Sequence, residues 1–102
     1  MPYADPLSDD ELGLALDALP GWTRVGDTLT RSVRMADFRA AIALVNAVAD
    51  AADAADHHPD IAITGYRHVT FTLTTHAAKA ITRRDTGLAA EIDRIAGRIG
   101  AA

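Results

Sequence analysis

An alternation of apolar and threonine side chains at residues 69–74, Val-Thr-Phe-Thr-Leu-Thr, places the strongest constraint on the fold of this chain. Because successive side chains of a strand point to opposite faces, Val69, Phe71 and Leu73 share one face and the threonines share the other. The apolar face must be covered by another layer of the molecule. The segment therefore predicts a half-buried sheet strand with a core on one side only.

The N-terminal part of the chain predicts a helix followed by a hairpin. Ser8-Asp9-Asp10-Glu11 is a capping-box sequence, in which the Ser8 hydroxyl accepts from the backbone three residues on while Glu11 reaches back. Residues 22–25 and 29–33 are short β-prone runs on either side of Gly26-Asp27, a turn dipeptide. The helix ends at Pro20-Gly21, and its apolar positions are Leu12, Leu16 and Leu19.

A long helix is predicted from Asp37 to about Asp56. Apolar residues recur along it at alternating steps of four and three, which is the pattern of a helix lying on a sheet. The predicted buried stripe consists of Phe38, Ile42, Val45, Ala49 and Ala52.

A last helix begins at a second sequence of capping-box type, Thr82-Arg83-Arg84-Asp85. Its apolar stripe runs through Leu88, Ile92, Ile95 and Ile99. With a strand at residues 61–63, the predicted order of elements is α-β-β-α-β-β-α. We therefore expect an α+β fold, a single domain over residues 1–102 in which an antiparallel sheet of about four strands has helices on one face.

Charge and composition argue against nucleic-acid binding, membrane insertion and secretion. The formal net charge is −4 and no basic stripe is present, so we expect no direct contact with nucleic acid. The apolar stretches end well before the ~20 residues of a membrane span, and no secretory signal precedes them, so we expect a cytoplasmic protein. Because the chain has no cysteine, any metal site would have to use His, Asp and Glu.

Three of the four histidines flank the predicted strands in two short segments. His57 and His58 follow the long helix and His76 follows the alternating strand, so a helix exit and a strand exit converge on one pocket. Near neutral pH an imidazole both donates and accepts protons. If the helix persists, Asp53 and His57 are four apart and share a face, so the carboxylate would orient that ring. Pro59 favours an extended backbone at His58.

A metal site is the alternative use of these residues. Asp53 or Asp56 would complete a ligand set with the three histidines. No two histidines have the His-x-x-x-His spacing that places two rings on one helical face, so we favour proton transfer and expect neither metal nor cofactor. His68, taken alone, is typical of a solvated side chain.

The same segments resemble the signature of the pterin-4a-carbinolamine dehydratases, small α+β proteins that dehydrate a hydroxylated tetrahydropterin. The resemblance lies in D-H-H-P-D at 56–60, Tyr66, V-T-F-T-L-T-T-H at 69–76 and I-T-R-R-D at 81–85. Gly21-Trp22 and the helix with Phe38 extend it over most of the chain. It implies a pterin substrate and three catalytic histidines, His57, His58 and His76. The substrate-binding and supporting residues that it implies are Asp53, Asp56, Pro59, Thr75 and Asp85.

Two departures from the family pattern fall beside the site. Ala80 stands where the family usually has glycine, so the turn after His76 is expected to be reshaped. The interval from Pro59 to Tyr66 is one residue longer than usual.

Assembly and a second function also follow from the resemblance. Placing residues 69–75 at the sheet edge, where another copy could pair, predicts a homodimer or a dimer of dimers. The alternative to an enzyme is a binding or assembly module on the same fold, similar to a transcriptional coactivator or an enzyme-assembly factor. A polar pocket with three histidines favours the enzyme.

Overall fold

A computed structural model describes residues 5–100, with the helices and strands in the predicted order. Four strands form one antiparallel sheet in the order β1-β2-β4-β3. The α+β architecture is therefore confirmed, while the ends of the predicted domain, residues 1–4 and 101–102, lie outside the described residues. The elements are α1 (Asp9–Asp17), β1 (Thr23–Val25), β2 (Thr28–Arg34), α2 (Phe38–Ala55), β3 (Asp60–Thr64), β4 (His68–Leu73) and α3 (Arg83–Ile99).

Both predicted capping boxes are present. At α1 the Ser8 hydroxyl accepts from the Glu11 N–H at 3.1 Å, and the Ser8 N–H donates to the Glu11 carboxylate at 2.9 Å. The hydrogen bond from the Ser8 backbone lowers the pKa of the Glu11 carboxyl below its ordinary value. At α3 the corresponding bond runs from the Thr82 N–H to Asp85 at 2.9 Å. Both helices therefore begin where the sequence predicts.

The alternation of β4 divides the sheet into a covered and an uncovered face. Phe71, which is fully buried, pairs with Arg31 of β2 and with Ile61 of β3. The uncovered face carries hydroxyl groups, among them Ser32 and Thr70, whose oxygens lie 2.7 Å apart. The core side chains of the covered face are Leu29, Val33, Val69, Phe71 and Leu73, as predicted for β4.

The helix α3 packs on this core through its predicted stripe. Leu88, Ile92 and Ile95 are buried, and Ile99 is partly buried against the same cluster. Each such side chain removed from water contributes about 1.5–3 kcal/mol before the entropic cost of ordering it. Hydrophobic burial therefore holds α3, and with it Asp85, against the sheet.

The predicted buried face of α2 is wrong for most of its length. Phe38 is 51% exposed and Ile42 37% exposed, and of the predicted stripe only Ala52 is fully buried. The helix packs instead through Ala41, Leu44, Val48 and Ala52. This face is displaced by roughly a quarter turn from the predicted one, at 3.6 residues per turn. Because apolar residues surround most of α2, their periodicity alone could not select the face.

The predicted edge position of residues 69–75 is also wrong. β4 lies between β2 and β3, and it pairs with both along its length. The edges of the sheet are β1 and β3. The long-range connection from β2 through α2 to the far side of β4 is what places the alternating strand in the middle, where burial on one face is greatest.

A polar contact ties the hairpin to α3. The Trp22 indole N–H donates to Asp93 at 2.8 Å, and Arg31 forms an ion pair with the same carboxylate. Asp93 belongs to α3, whereas Trp22 and Arg31 belong to the hairpin region. The last helix is thus held to the sheet by charge as well as by apolar burial.

Candidate functional site

The three predicted histidines meet at one pocket. A depression of about 280 Å³ lies where α2 ends and β4 ends, and His57, His58 and His76 all line it. The predicted convergence of a helix exit and a strand exit is therefore confirmed. The other lining residues are Asp56, Thr74, Thr75 and Ala77.

The exit from α2 is a left-handed residue. Asp56 has φ 50° and ψ 44°, and its N–H donates to the carbonyls of Ala52 and Asp53. The His57 N–H also returns to the Ala52 carbonyl, at 3.1 Å. This is the hydrogen-bond pattern that closes a helix C-terminus. Because the chain reverses at Asp56, the ring of His57 does not continue the helical face that carries Asp53.

The predicted contact between Asp53 and His57 is consequently wrong, because Asp53 contacts the neighbouring ring instead. Nε2 of His58 lies 3.0 Å from Oδ1 of Asp53, in an exposed pair. Nε2 of His57 lies 2.5 Å from Oδ1 of Asp85, a residue at the start of α3. Each of the two neighbouring rings therefore has its own carboxylate, from a different helix.

Asp85 is the centre of a buried polar network. It is fully buried, and its Oδ2 accepts from the Thr75 hydroxyl at 2.8 Å and from the Thr82 N–H at 2.9 Å. The Thr75 and Thr82 hydroxyl oxygens lie 2.8 Å apart. A buried carboxylate needs such donors, because its desolvation is otherwise costly. The network joins the end of β4 to the start of α3 directly behind His57.

Arg84 connects the same helix start to the end of α2. Its Nη2 donates to the carbonyl of Asp56 at 2.7 Å and to that of Ala55 at 3.3 Å. These carbonyls belong to the negative end of the α2 dipole, where a cation is favourable. The sequence predicted Thr82 as a helix cap but placed neither Thr82 nor Arg84 at the site, and only their position in the capping sequence next to Asp85 could have suggested it.

His76 stands on a short turn closed by a bridge. Thr75 and Ala80 pair across it, with the Thr75 N–H donating to the Ala80 carbonyl at 3.1 Å. The turn contains a left-handed residue, Lys79, with φ 52°. Thus Ala80, in the place of the family's usual glycine, does not have to adopt a positive φ, because the residue before it does.

The remaining predicted residues lie at different distances from the pocket. Pro59 is half-buried and follows the two rings, but it is not among the lining residues. His68 is exposed at the opposite end of β4, opposite Arg34 and Thr64, so it is separate from the site. Thr74 and Ala77 also line the pocket, although the sequence analysis did not assign either of them to the site.

Residues 5–100 contain no group of three or more His, Cys, Asp or Glu side chains arranged to hold a metal ion. In the same part of the chain, no helix has the length and apolar character needed to cross a membrane. What the pocket offers chemically is three imidazoles, two of them next to carboxylates.

Comparison with known proteins gives one family over almost the whole chain. The family model for pterin 4 alpha carbinolamine dehydratase matches residues 5–95. A relative from Nocardia farcinica is 54% identical over 90 residues, 88% of this chain and 94% of that protein. One from Mycobacteroides abscessus is 48% identical over 92 residues, 90% of this chain and 97% of that protein. Both carry names that place them provisionally among the pterin-4-alpha-carbinolamine dehydratases.

Solved structures share the fold. The crystal structure of a transcriptional coactivator/pterin dehydratase from Brucella melitensis has a TM-score of 0.86 and 35% identity, over 91% of this chain and 100% of that one. A pterin dehydratase-like protein identified as a RuBisCO assembly factor in the α-carboxysome has a TM-score of 0.63 and 21% identity, over 74% of this chain and 87% of that one. The second likeness shows the fold alone.

Proposed function

The chain belongs to the pterin-4a-carbinolamine dehydratase family, and on that premise we propose that it dehydrates 4a-hydroxytetrahydropterin to quinonoid dihydropterin. The observation that carries the proposal is the meeting of His57, His58 and His76 at one pocket. Relatives of similar length are named for this hydro-lyase activity, and the chain covers nearly all of their length.

The proposed reaction is an elimination of water that needs only proton transfers. A base takes the proton from N5, and the N5 electron pair forms the double bond to C4a. The bond from C4a to oxygen breaks with its electrons on oxygen, which takes a proton from a general acid and leaves as water. No electrons enter or leave the pterin, so imidazoles suffice for each step.

We assign the acid and base to His57 and His76, which both line the pocket. His57 is held from behind by a buried carboxylate, whereas His76 is exposed on its turn. His58, paired with exposed Asp53, holds the pterin ring and contributes to proton transfer. Asp56 contributes to binding from the pocket wall, whereas Thr75 and Asp85, which are hydrogen-bonded to each other, act through His57.

The test is the rate of dehydration of freshly generated 4a-hydroxytetrahydropterin, followed by absorbance with and without protein. His57→Ala and His76→Ala should each lower the rate by about 10²-fold, the usual scale for a positioned acid or base. His68→Ala, at the far end of β4, is the matched control and should keep the wild-type rate. Chelator should leave the wild-type rate unchanged. Wild-type rates in both site variants would refute the assignment.

We also propose that the protein is a homodimer or a dimer of dimers. The strand available for pairing is β3 and not β4, because within the described residues β3 pairs on one side only. Ile61, 36% exposed on this edge strand, adds an apolar contact for a second copy. The molar mass measured by light scattering at micromolar concentration should be two or four times that of one 10.8 kDa chain, and a monomer mass would contradict the proposal.

A further inference from the structure

The two ring nitrogens of His57 lie in different surroundings. Nε2 faces buried Asp85 at 2.5 Å. Within residues 5–100, Nδ1 has no hydrogen-bond partner. Every buried side-chain nitrogen or oxygen in this part of the chain does have a partner, so Nδ1 is not one of the buried atoms. Nδ1 therefore keeps some contact with solvent, and the pocket that the otherwise buried His57 lines is the side on which that contact can lie. Any proton that His57 exchanges with a pterin must pass through this atom.

Counting hydrogens fixes the direction of the network behind the ring. A hydroxyl has one hydrogen, and Thr75 gives its own to Oδ2 of Asp85 at 2.8 Å. The 2.8 Å contact between the two threonines must then use the hydrogen of Thr82. The Thr82 oxygen in turn accepts from the Arg84 N–H at 3.2 Å. Every link runs toward Asp85.

Toward His57 the carboxylate of Asp85 can therefore only accept a hydrogen bond. An ionised carboxylate has no hydrogen, and its Oδ2 already accepts from the Thr75 hydroxyl and the Thr82 N–H. The hydrogen in the contact between Oδ1 and the ring must come from Nε2. A neutral ring that donates from Nε2 keeps its lone pair on Nδ1.

We propose that Asp85, Thr75 and Thr82 are positioning residues that fix His57 as the Nε2–H tautomer, and that Nδ1 is its proton-transferring atom. The transfer rests on the proposed function, whereas the tautomer does not. In the reaction Nδ1 takes the proton of pterin N5, and the imidazolium that forms keeps its Nε2–H on Asp85. Asp85 itself receives no proton. His58 has no such constraint, because its partner Asp53 is exposed.

The test reads the tautomer directly in the free protein, without pterin. In ¹⁵N-labelled protein at a pH where the ring is neutral, the His57 nitrogen shifts should show Nε2 protonated and Nδ1 unprotonated. Asp85→Asn should reverse them: the amide oxygen must still accept from Thr75 and Thr82, so its NH₂ group faces His57 and Nε2 must accept. Asp53→Asn is the matched control and should leave the His57 signals in place.

The rate supplies the second readout. Asp85→Asn should lower kcat by about 10²-fold, because the wrong nitrogen then faces the pterin. Thr75→Val should lower kcat by about tenfold with a much smaller change in KM, and Thr75→Ser should restore it. If Asp85→Asn does not fold, the Thr75 pair decides. An Nδ1–H tautomer in the wild type, or equal rates for Thr75→Val and Thr75→Ser, would overturn the proposal. A fixed Nε2–H tautomer in a protein without dehydratase activity would overturn the proposed function and the role of Nδ1 in transfer, and leave only the tautomer.

Discussion

His57 and His58 are adjacent in sequence, and each is paired with an aspartate, yet the two pairs are physically opposite. The His57–Asp85 pair is buried, with side-chain exposures of 9% and 0%. The His58–Asp53 pair is exposed, with 60% and 79%. The left-handed residue Asp56 lies between Asp53 and both histidines, so neither ring continues the face of α2. Beyond it, His57 contacts Asp85 at the start of α3, whereas His58 reaches back to Asp53 of α2.

The difference teaches that burial, and not the identity of the two residues, determines how much a histidine–carboxylate contact contributes to stability and how tightly it orients the ring. In the exposed pair, water and salt compete for both groups, and the expected contribution is small. In the buried pair the carboxylate has lost its water and depends on every donor around it, so removing one partner is costly. The buried pair fixes one geometry, whereas the exposed pair permits several.

The largest effect is expected from Asp85→Asn. The substitution keeps the shape but removes a buried charge on which three donors converge, so the free energy of unfolding should fall by about 3 kcal/mol. Urea denaturation measures it, with Asp53→Asn as the matched change in the exposed pair. A loss for Asp85→Asn no larger than that for Asp53→Asn would break the comparison.

Arg84→Gln should have an intermediate effect. It removes the bonds to the Asp56 and Ala55 carbonyls, and a loss of about 1 kcal/mol in unfolding free energy is expected. Amide hydrogen exchange at Asp56 and His57 should become faster, because the left-handed turn at the end of α2 is loosened. Arg83→Gln, on the exposed neighbouring side chain, is the control. Equal exchange in the two variants would show that Arg84 does not hold the turn.

Asp53→Asn should change stability little. For an exposed pair we expect a loss of about 0.5 kcal/mol or less in unfolding free energy at low salt, measured at a pH where the His58 ring is protonated. Raising the ionic strength from about 0.1 M to about 1 M shortens the screening length from about 10 Å to about 3 Å, so the loss should shrink further. The loss caused by Asp85→Asn should not shrink in this way. If the loss caused by Asp53→Asn did not depend on salt, the exposed pair would behave like the buried one, and the comparison would fail.

The smallest effect is expected from Glu11→Gln, at an exposed carboxylate bound to a backbone N–H. Because the pKa of Glu11 is lowered in the folded protein, its contribution is present above the ordinary value of 4.5 and is lost as pH falls through the folded pKa. The Tm difference between wild type and Glu11→Gln should therefore narrow below pH 4.5. A difference that grew on acidification would have the wrong sign.

The sequence was sufficient for the order of elements and for the caps, because these depend on local patterns. It also predicted the meeting of the three histidines, because they directly follow the end of a predicted helix or strand. It was misleading for α2. Only four of the 18 residues of α2 are polar, and all four are exposed on one narrow stripe. The buried face lies opposite that stripe, so the polar positions would have indicated it where the apolar ones could not. The polar residues are Arg39, Asn46, Asp50 and Asp53.

The partner of His57 could not be predicted for a different reason. The spacing of Asp53 and His57 favours a contact only if the helix includes both, and one left-handed residue between them removes it. The actual partner is 28 residues away, and its position depends on how α3 docks on the sheet. Non-local packing of this kind has no signature in a single sequence. The capping box that contains Asp85 has one, but it predicts only where α3 begins and not what Asp85 contacts.

That long separation has a consequence for the order of events in folding. Hairpins and helix starts close short loops, whereas the contact between His57 and Asp85 closes only when the last helix has docked. The pocket is therefore completed late, and a refolding chain should show native-like secondary structure before the His57 ring acquires its final environment. Dehydratase activity would then return during refolding only when α3 has docked on the sheet.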